Sequence, residues 1–252
     1  MSKRSLTRFG VALLSLAVLA PSMAPAQAAA DIKIGVITST SGPLSTYGIA
    51  FNEGLEWGLK YYTGGKMAIN GQKLVVTSKD DGADPASATA SFKEMVGNGT
   101  KIITGTASSG VALTLAPLAQ QNKVLYISGP AKNDLVTSAA NKYVFRSGNS
   151  STQDLAPLAG IKPISGKKVV LFVEDNAFGA GNIAAAKALM GPKGAKFEEI
   201  KVPTSTSDFT PFAKKAADAA GSYIFIAWSN ALTAGAMLTS LKVQGAFVKQ
   251  RP

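Results

Sequence analysis

The chain predicts an α/β architecture of two doubly wound, Rossmann-like lobes, and three observations carry that prediction. From residue 31 onward, short β-branched apolar runs of strand length alternate with stretches of helical period. Several of these strands empty into loops of Ser, Thr and Gly just before a helix, as in a sheet whose strand ends carry a site. The pattern runs out at the polar stretch Ser147–Ser151 and then restarts. The expected division is therefore residues 1–30, 31–147 and 148–252.

The first 30 residues read as an export signal. Lys3, Arg4 and Arg8 form a basic start, Phe9–Ala20 is an apolar run too short to span a bilayer, and Ala26-Gln27-Ala28 offers a cleavage signature. Cleavage is expected near Ala28 or Ala30. With the segment removed, 23 basic residues remain against 15 acidic, a balance of +8. The lysines are scattered singly or in short pairs, so a solvated surface is expected and nucleic acid is not.

Asp31–Gly48 opens the first lobe. Ile32, Ile34, Val36 and Ile37 form a strand, followed by a loop rich in Ser, Thr and Gly, and then a helix with Phe51, Leu55, Gly58/Leu59 and Tyr62 on its apolar face. Gly64-Gly65 stops that helix and Asn70-Gly71 marks a turn. Lys73–Ser78 is the second strand. After it Asp80 and Asp81 take turn and cap roles, and Asp84 before Pro85 starts a helix through Ala88 and Phe92. Lys101–Thr104 runs into Gly105–Gly110 (GTASSG), and Val124–Ile127 into Ser128-Gly129-Pro130-Ala131. Right-handed β-α-β winding places these three mouths on one sheet edge. Tyr143–Arg146 closes the lobe.

The second lobe repeats the scheme. A helix is expected over Leu155–Ile164 and a strand over Lys168–Val173, followed by the loop Glu174–Gly179. A helix through Ile183 and Leu189 stops at Gly191-Pro192. Lys196–Val202 is a strand and Thr210-Pro211 opens a helix. The buried strand Tyr223–Ala227 ends at Trp228-Ser229-Asn230, and a last helix ends at Gly245. Gln244–Val248 reads as the approach to a further strand.

Composition narrows the chemistry. The chain has no cysteine and no histidine. Disulfides, thiolate metal sites and thiol nucleophiles are excluded, and the commonest general base and transition-metal ligand are both missing. The Gly105–Gly110 loop lacks the Gly-Lys-Ser/Thr ending of a phosphate loop, and no Gly-x-Ser-x-Gly elbow stands at a strand end. The reading is binding by hydroxyls, backbone N–H groups and aromatic lids. No catalysis, metal or cofactor is expected.

These residues resemble the type I periplasmic solute-binding proteins of branched-chain amino-acid (Leu/Ile/Val) ABC transporters. The carriers are IKIGVITSTSGPLSTYG at the start, KDDGADP after the second strand, GTASSGV after the third and EDNAFGAGN in the second lobe. The resemblance implies a periplasmic, monomeric protein that holds an amino acid between two lobes and delivers it to the membrane subunits of an ABC permease. It assigns the solute carboxylate to Ser108 and Ser109, head-group contacts to Ser128, Gly129 and Ala131, and aromatic contacts to Tyr47, Phe178 and Trp228. Ser41 and Thr46 join Tyr47 as solute-facing residues of the first loop. Ser128–Lys132 departs from the family's Ala/Thr-rich turn, which leaves amides, urea and small aromatic acids open as solutes. Members are longer and cross between lobes three times, so a C-terminal truncation with incomplete lobes and weak or absent binding is expected. A ligand-sensing domain and an exported Ser/Lys hydrolase are the competing functions.

Overall fold

A computed structural model describes residues 30–247, apart from 139–140 and 162. The expected export signal and the strand approach past residue 247 lie outside the described residues. Nine strands and eight α-helices alternate along the described chain. The first lobe contains β1 (Ile32–Thr38), α1 (Ser45–Tyr62), β2 (Ala68–Ile69), β3 (Gln72–Asp80), α2 (Pro85–Gly97), β4 (Ile102–Gly105), α3 (Ser109–Asn122), β5 (Leu125–Ser128), α4 (Leu135–Ser138) and β6 (Val144–Arg146). There follow α5 (Ser151–Ile161), β7 (Lys168–Glu174), α6 (Ala177–Met190), β8 (Lys196–Val202), α7 (Thr210–Asp218), β9 (Tyr223–Ala227) and α8 (Ala234–Val243).

The strands form two sheets, ordered β2-β3-β1-β4-β5-β6 and β8-β7-β9. Every pairing is parallel except the β2–β3 hairpin, which turns at Asn70-Gly71. In the first sheet Ile37, Ile103 and Tyr126 meet Phe92 and Met95 of α2 and Val111 and Leu115 of α3. Helix α1 takes the opposite face, where a Cβ on Gly129 would strike the Phe51 ring at 2.9 Å.

The second sheet is covered on both faces by simple alternation along β7. Val169, Leu171 and Val173 pack with α5 and α6, while Val170 and Phe172 pack with α7 and α8. In each lobe one glycine lets the helix after the central strand press onto the strand end. A Cβ on Gly48 of α1 would lie 1.8 Å from the Ser39 carbonyl oxygen, and one on Gly179 of α6 would lie 1.9 Å from that of Glu174.

Several expected boundaries shift. Helix α5 begins at Ser151 rather than Leu155, because Ser150 and Gln153 form a reciprocal cap. The Ser150 N–H donates to Gln153 Oε1 at 2.8 Å, and the Gln153 N–H donates to Ser150 Oγ at 3.4 Å. Tyr62 does not complete the buried face of α1; it is 87% exposed, with Tyr61 at 79% and Trp57 at 73%. Strands β4, β5 and β7 each run one residue further than expected, which decides what reaches the site.

Candidate functional site

Each sheet reverses its order beside its central strand, and a ligand crevice forms outside the carboxyl ends of such strands. In the first sheet the reversal lies between β1 and β4, and in the second between β7 and β9. The loops after these four strands line one cavity of about 590 Å³. Pro43, Leu44 and Tyr47 come from the β1 side and Ala107–Gly110 from β4. Asn176–Phe178 follow β7 and Trp228–Asn230 follow β9. Gly82, Ala83 and Pro85 after β3, together with Pro130, Lys132 and Asn149, complete the first-lobe wall.

Two buried carboxylates hold these loops in register. Asp81 accepts from Ser39 Oγ at 2.6 Å, the Ala83 N–H at 2.8 Å and Thr106 Oγ, so it ties together the loops after β1, β3 and β4. Glu174 accepts from the Asn230 N–H at 2.9 Å, the Ser229 N–H at 3.1 Å, Ser229 Oγ and Asn176 Nδ2. It thus ties the loop after β7 to the loop after β9. Burying a carboxylate is tolerable because its lone pairs are filled in this way.

The starts of α3 and α6 meet at the cavity. Ser108 caps α3, its Oγ accepting from the Val111 N–H at 3.4 Å, and Asn176 caps α6 through the Gly179 N–H at 2.9 Å. A Cβ on Gly110 would lie 3.9 Å from that of Ala177. Asn133 Nδ2 donates across to the Ala177 carbonyl at 2.6 Å, and the Asn133 N–H donates to Ser109 Oγ at 3.3 Å. Two helix N-termini therefore point positive partial charge at the cavity. Both serine hydroxyls act as acceptors in these bonds.

Arg146 fastens the first-lobe wall from behind. Its Nη1 donates to the carbonyl of Ala131 at 2.7 Å and its Nη2 to that of Asn133 at 2.6 Å; burial holds its pKa below the ordinary value. Lys132, between those carbonyls, pairs with Asp154 at 2.6 Å. Burial alone would raise the pKa of Asp80, but hydrogen bonds from Ser41, Gly82 and Thr40 outweigh it and hold the group at about 2.

Five of the ten candidate residues line the cavity: Tyr47, Ser108, Ser109, Phe178 and Trp228. The other five do not. Ser128 is the last residue of β5, paired with Gly105 inside the ladder, and its side chain is buried. Gly129 continues that ladder through a 2.8 Å bond to the Gly105 carbonyl, and Ala131 is buried, its N–H on the Thr106 carbonyl. Ser41 is drawn to Asp80, and Thr46, one helical step from Tyr47, turns to solvent. The lining residues that sequence reasoning did not single out are chiefly Lys132, Asn149, Glu174, Asn176, Ser229 and Asn230. Glu174 and Asn176 sit in the quoted EDNAFGAGN stretch, and Ser229-Asn230 in the mouth after YIFIA, so chain position was their only signal.

Residues 31–246 match the family model described as periplasmic binding protein. The Leu/Ile/Val-binding protein homolog 3 of Brucella melitensis is 28% identical over 84% of this chain and 59% of its own length. The Leu/Ile/Val-binding protein homolog 6 of Brucella abortus is 30% identical over 85% of this chain and 55% of its own. The chain thus spans less than two thirds of these relatives. An ABC-type branched-chain amino acid transporter structure from Rhodopseudomonas palustris is 34% identical, covers 87% of this chain and 61% of its own, and has a TM-score of 0.64. A solute-binding protein of an ABC transporter from the same species, solved with 3,4-dihydroxybenzoic acid, is 28% identical over 88% of this chain and 60% of its own, with a TM-score of 0.71. These names are those of binding and transport proteins, not enzymes.

Proposed function

Because the chain belongs to the periplasmic binding protein family, we propose that it is an extracytoplasmic solute-binding component of an ABC transporter, acting as a monomer in the periplasm. The observation that carries the reading is the shared cavity. Hydroxyls of Ser108 and Ser109 and the Tyr47 ring on one lobe face Phe178 and Trp228 on the other, at the reversal points of both sheets. Such a cavity suits a solute with an anionic head and an apolar body. Serine hydroxyls and helix N-termini receive a carboxylate, and the aromatic rings cover the rest. Delivery to the permease's membrane subunits is the transport step in this reading.

The solute proposed first is an amino acid of the branched-chain type, in keeping with the names of the Brucella relatives. A small aromatic acid is the second reading, favoured by the similar Rhodopseudomonas palustris protein solved with 3,4-dihydroxybenzoic acid. Calorimetric titration of residues 31–252 with leucine, isoleucine, valine, benzoate and 3,4-dihydroxybenzoate tests both. Saturable binding of one class, weakened by Ser108→Ala, is the expected outcome. Uptake of none of the five sinks the proposal.

A further inference from the structure

We propose that Lys132 is a specificity-determining residue of the cleft, forming a subsite for the carboxylate of an anionic solute; this rests on the solute-binding reading above. Among the described residues lining the cavity, Lys132 is the one cation and Glu174 the one carboxylate. They stand on different walls, Lys132 in the turn after β5 and Glu174 at the end of β7. Glu174 already receives four donors from Asn176, Ser229 and Asn230. An anion laid against it meets repulsion, and three of the four donors already crowd Oε2.

Lys132 is placed differently. An ammonium carries three donors, and one of these goes to Asp154. Asp154 is fixed in turn by Asn149 Nδ2 and does not line the cavity, so it orients the ammonium from outside the site. The backbone at Lys132 is equally fixed. Its carbonyl accepts from the Ser151 N–H at 2.8 Å, and the carbonyls on either side accept from Arg146. The side chain is 35% exposed, so it is less hydrated than a lysine in open water. A donor held this way loses little freedom on binding. The cleft is therefore polarised: the anionic head goes to the first lobe, and the apolar body lies against Phe178 and Trp228.

The test is calorimetric titration of residues 31–252, as wild type, K132M and K132R, with benzoate, L-leucine and the neutral isostere benzamide. The expected result is that wild type favours benzoate over benzamide. K132M then loses about 10- to 100-fold toward the carboxylates it binds, benzamide affinity holds, and K132R recovers most of the loss. K132Q replaces K132M if that variant does not fold. Carboxylate affinity unchanged in K132M or K132Q overturns the assignment while leaving solute binding intact. Equal wild-type affinity for benzoate and benzamide also overturns it. Binding of none of the three removes the solute-binding reading and this one together.

Discussion

Asp81 and Glu174 perform the same task in the two lobes: each is a buried carboxylate at a strand end whose oxygens collect the N–H and hydroxyl donors of neighbouring loops. Removing one leaves several buried donors unfilled, each costing about 1–3 kcal/mol. Asp81→Ala is therefore expected to lower unfolding stability by about 3 kcal/mol in denaturant titration, with Asp81→Asn recovering part of it. Asp80, next to it, gives a pH signature. Its folded pKa of about 2 lies below the ordinary 3.8, so its stabilisation is present above about pH 4 and is lost as pH falls toward 2. Asp80 is exposed, so screening reduces the effect to about 1 kcal/mol. Urea melts between pH 5 and 2 are expected to show a shallower acid loss in Asp80→Asn than in wild type. Both aspartates were legible in the sequence as turn and cap residues. That Asp81 is buried beneath three loops was not, because its partners Ser39 and Thr106 are distant in sequence and meet only once the sheet has formed.

At the level of elements, the order of the longer strands and helices and the common edge of the loops were readable from hydrophobic period and turn chemistry, whereas the two-residue β2 and the four-residue α4 are too short to show a period. The strand ends were less so, and one residue was enough to matter. Parallel pairing of Gly105 with Ser128 carries β5 one step further, moving Ser128 out of the cleft and into the ladder. No local preference distinguishes a serine ending a strand from one opening a loop. The glycines of α1 separate packing from permissiveness. Gly48→Ala would drive a methyl into the Ser39 carbonyl and is expected to cost about 3 kcal/mol. Gly54, with open space around it in the same helix, is expected to gain about 0.5–1 kcal/mol on replacement by Ala. Thermal melts of the two variants, moving in opposite directions, check the pair.

For the whole molecule, we propose the division at 147/148 as a lobe boundary, supported by the strands of each sheet falling on one side of it. The two lobes are unequally clothed. The second sheet has helices on both faces, whereas α1 buries only Gly48, and Val75 and Val76 of β3 remain 40% exposed each. An open apolar surface of this kind binds hydrophobic dyes. Residues 31–252 are expected to enhance the emission of anilinonaphthalene sulfonate, and Trp57→Glu/Tyr61→Glu to reduce that enhancement. Helical period alone assigned Tyr62 to the inner face, since period records which residues share a side and not whether anything lies against them.

The chain's two tryptophans stand in opposite surroundings. Trp57 projects into water, whereas Trp228 is stacked on Phe172 with ring centroids 6.1 Å apart, meets Phe209 edge-on and borders the cavity. The protein therefore carries its own pair of optical probes: a red-shifted, readily quenched emitter remote from the cleft and a blue-shifted one at its rim. A solute entering the cavity should alter the blue component alone, which leaves the red one as an internal reference.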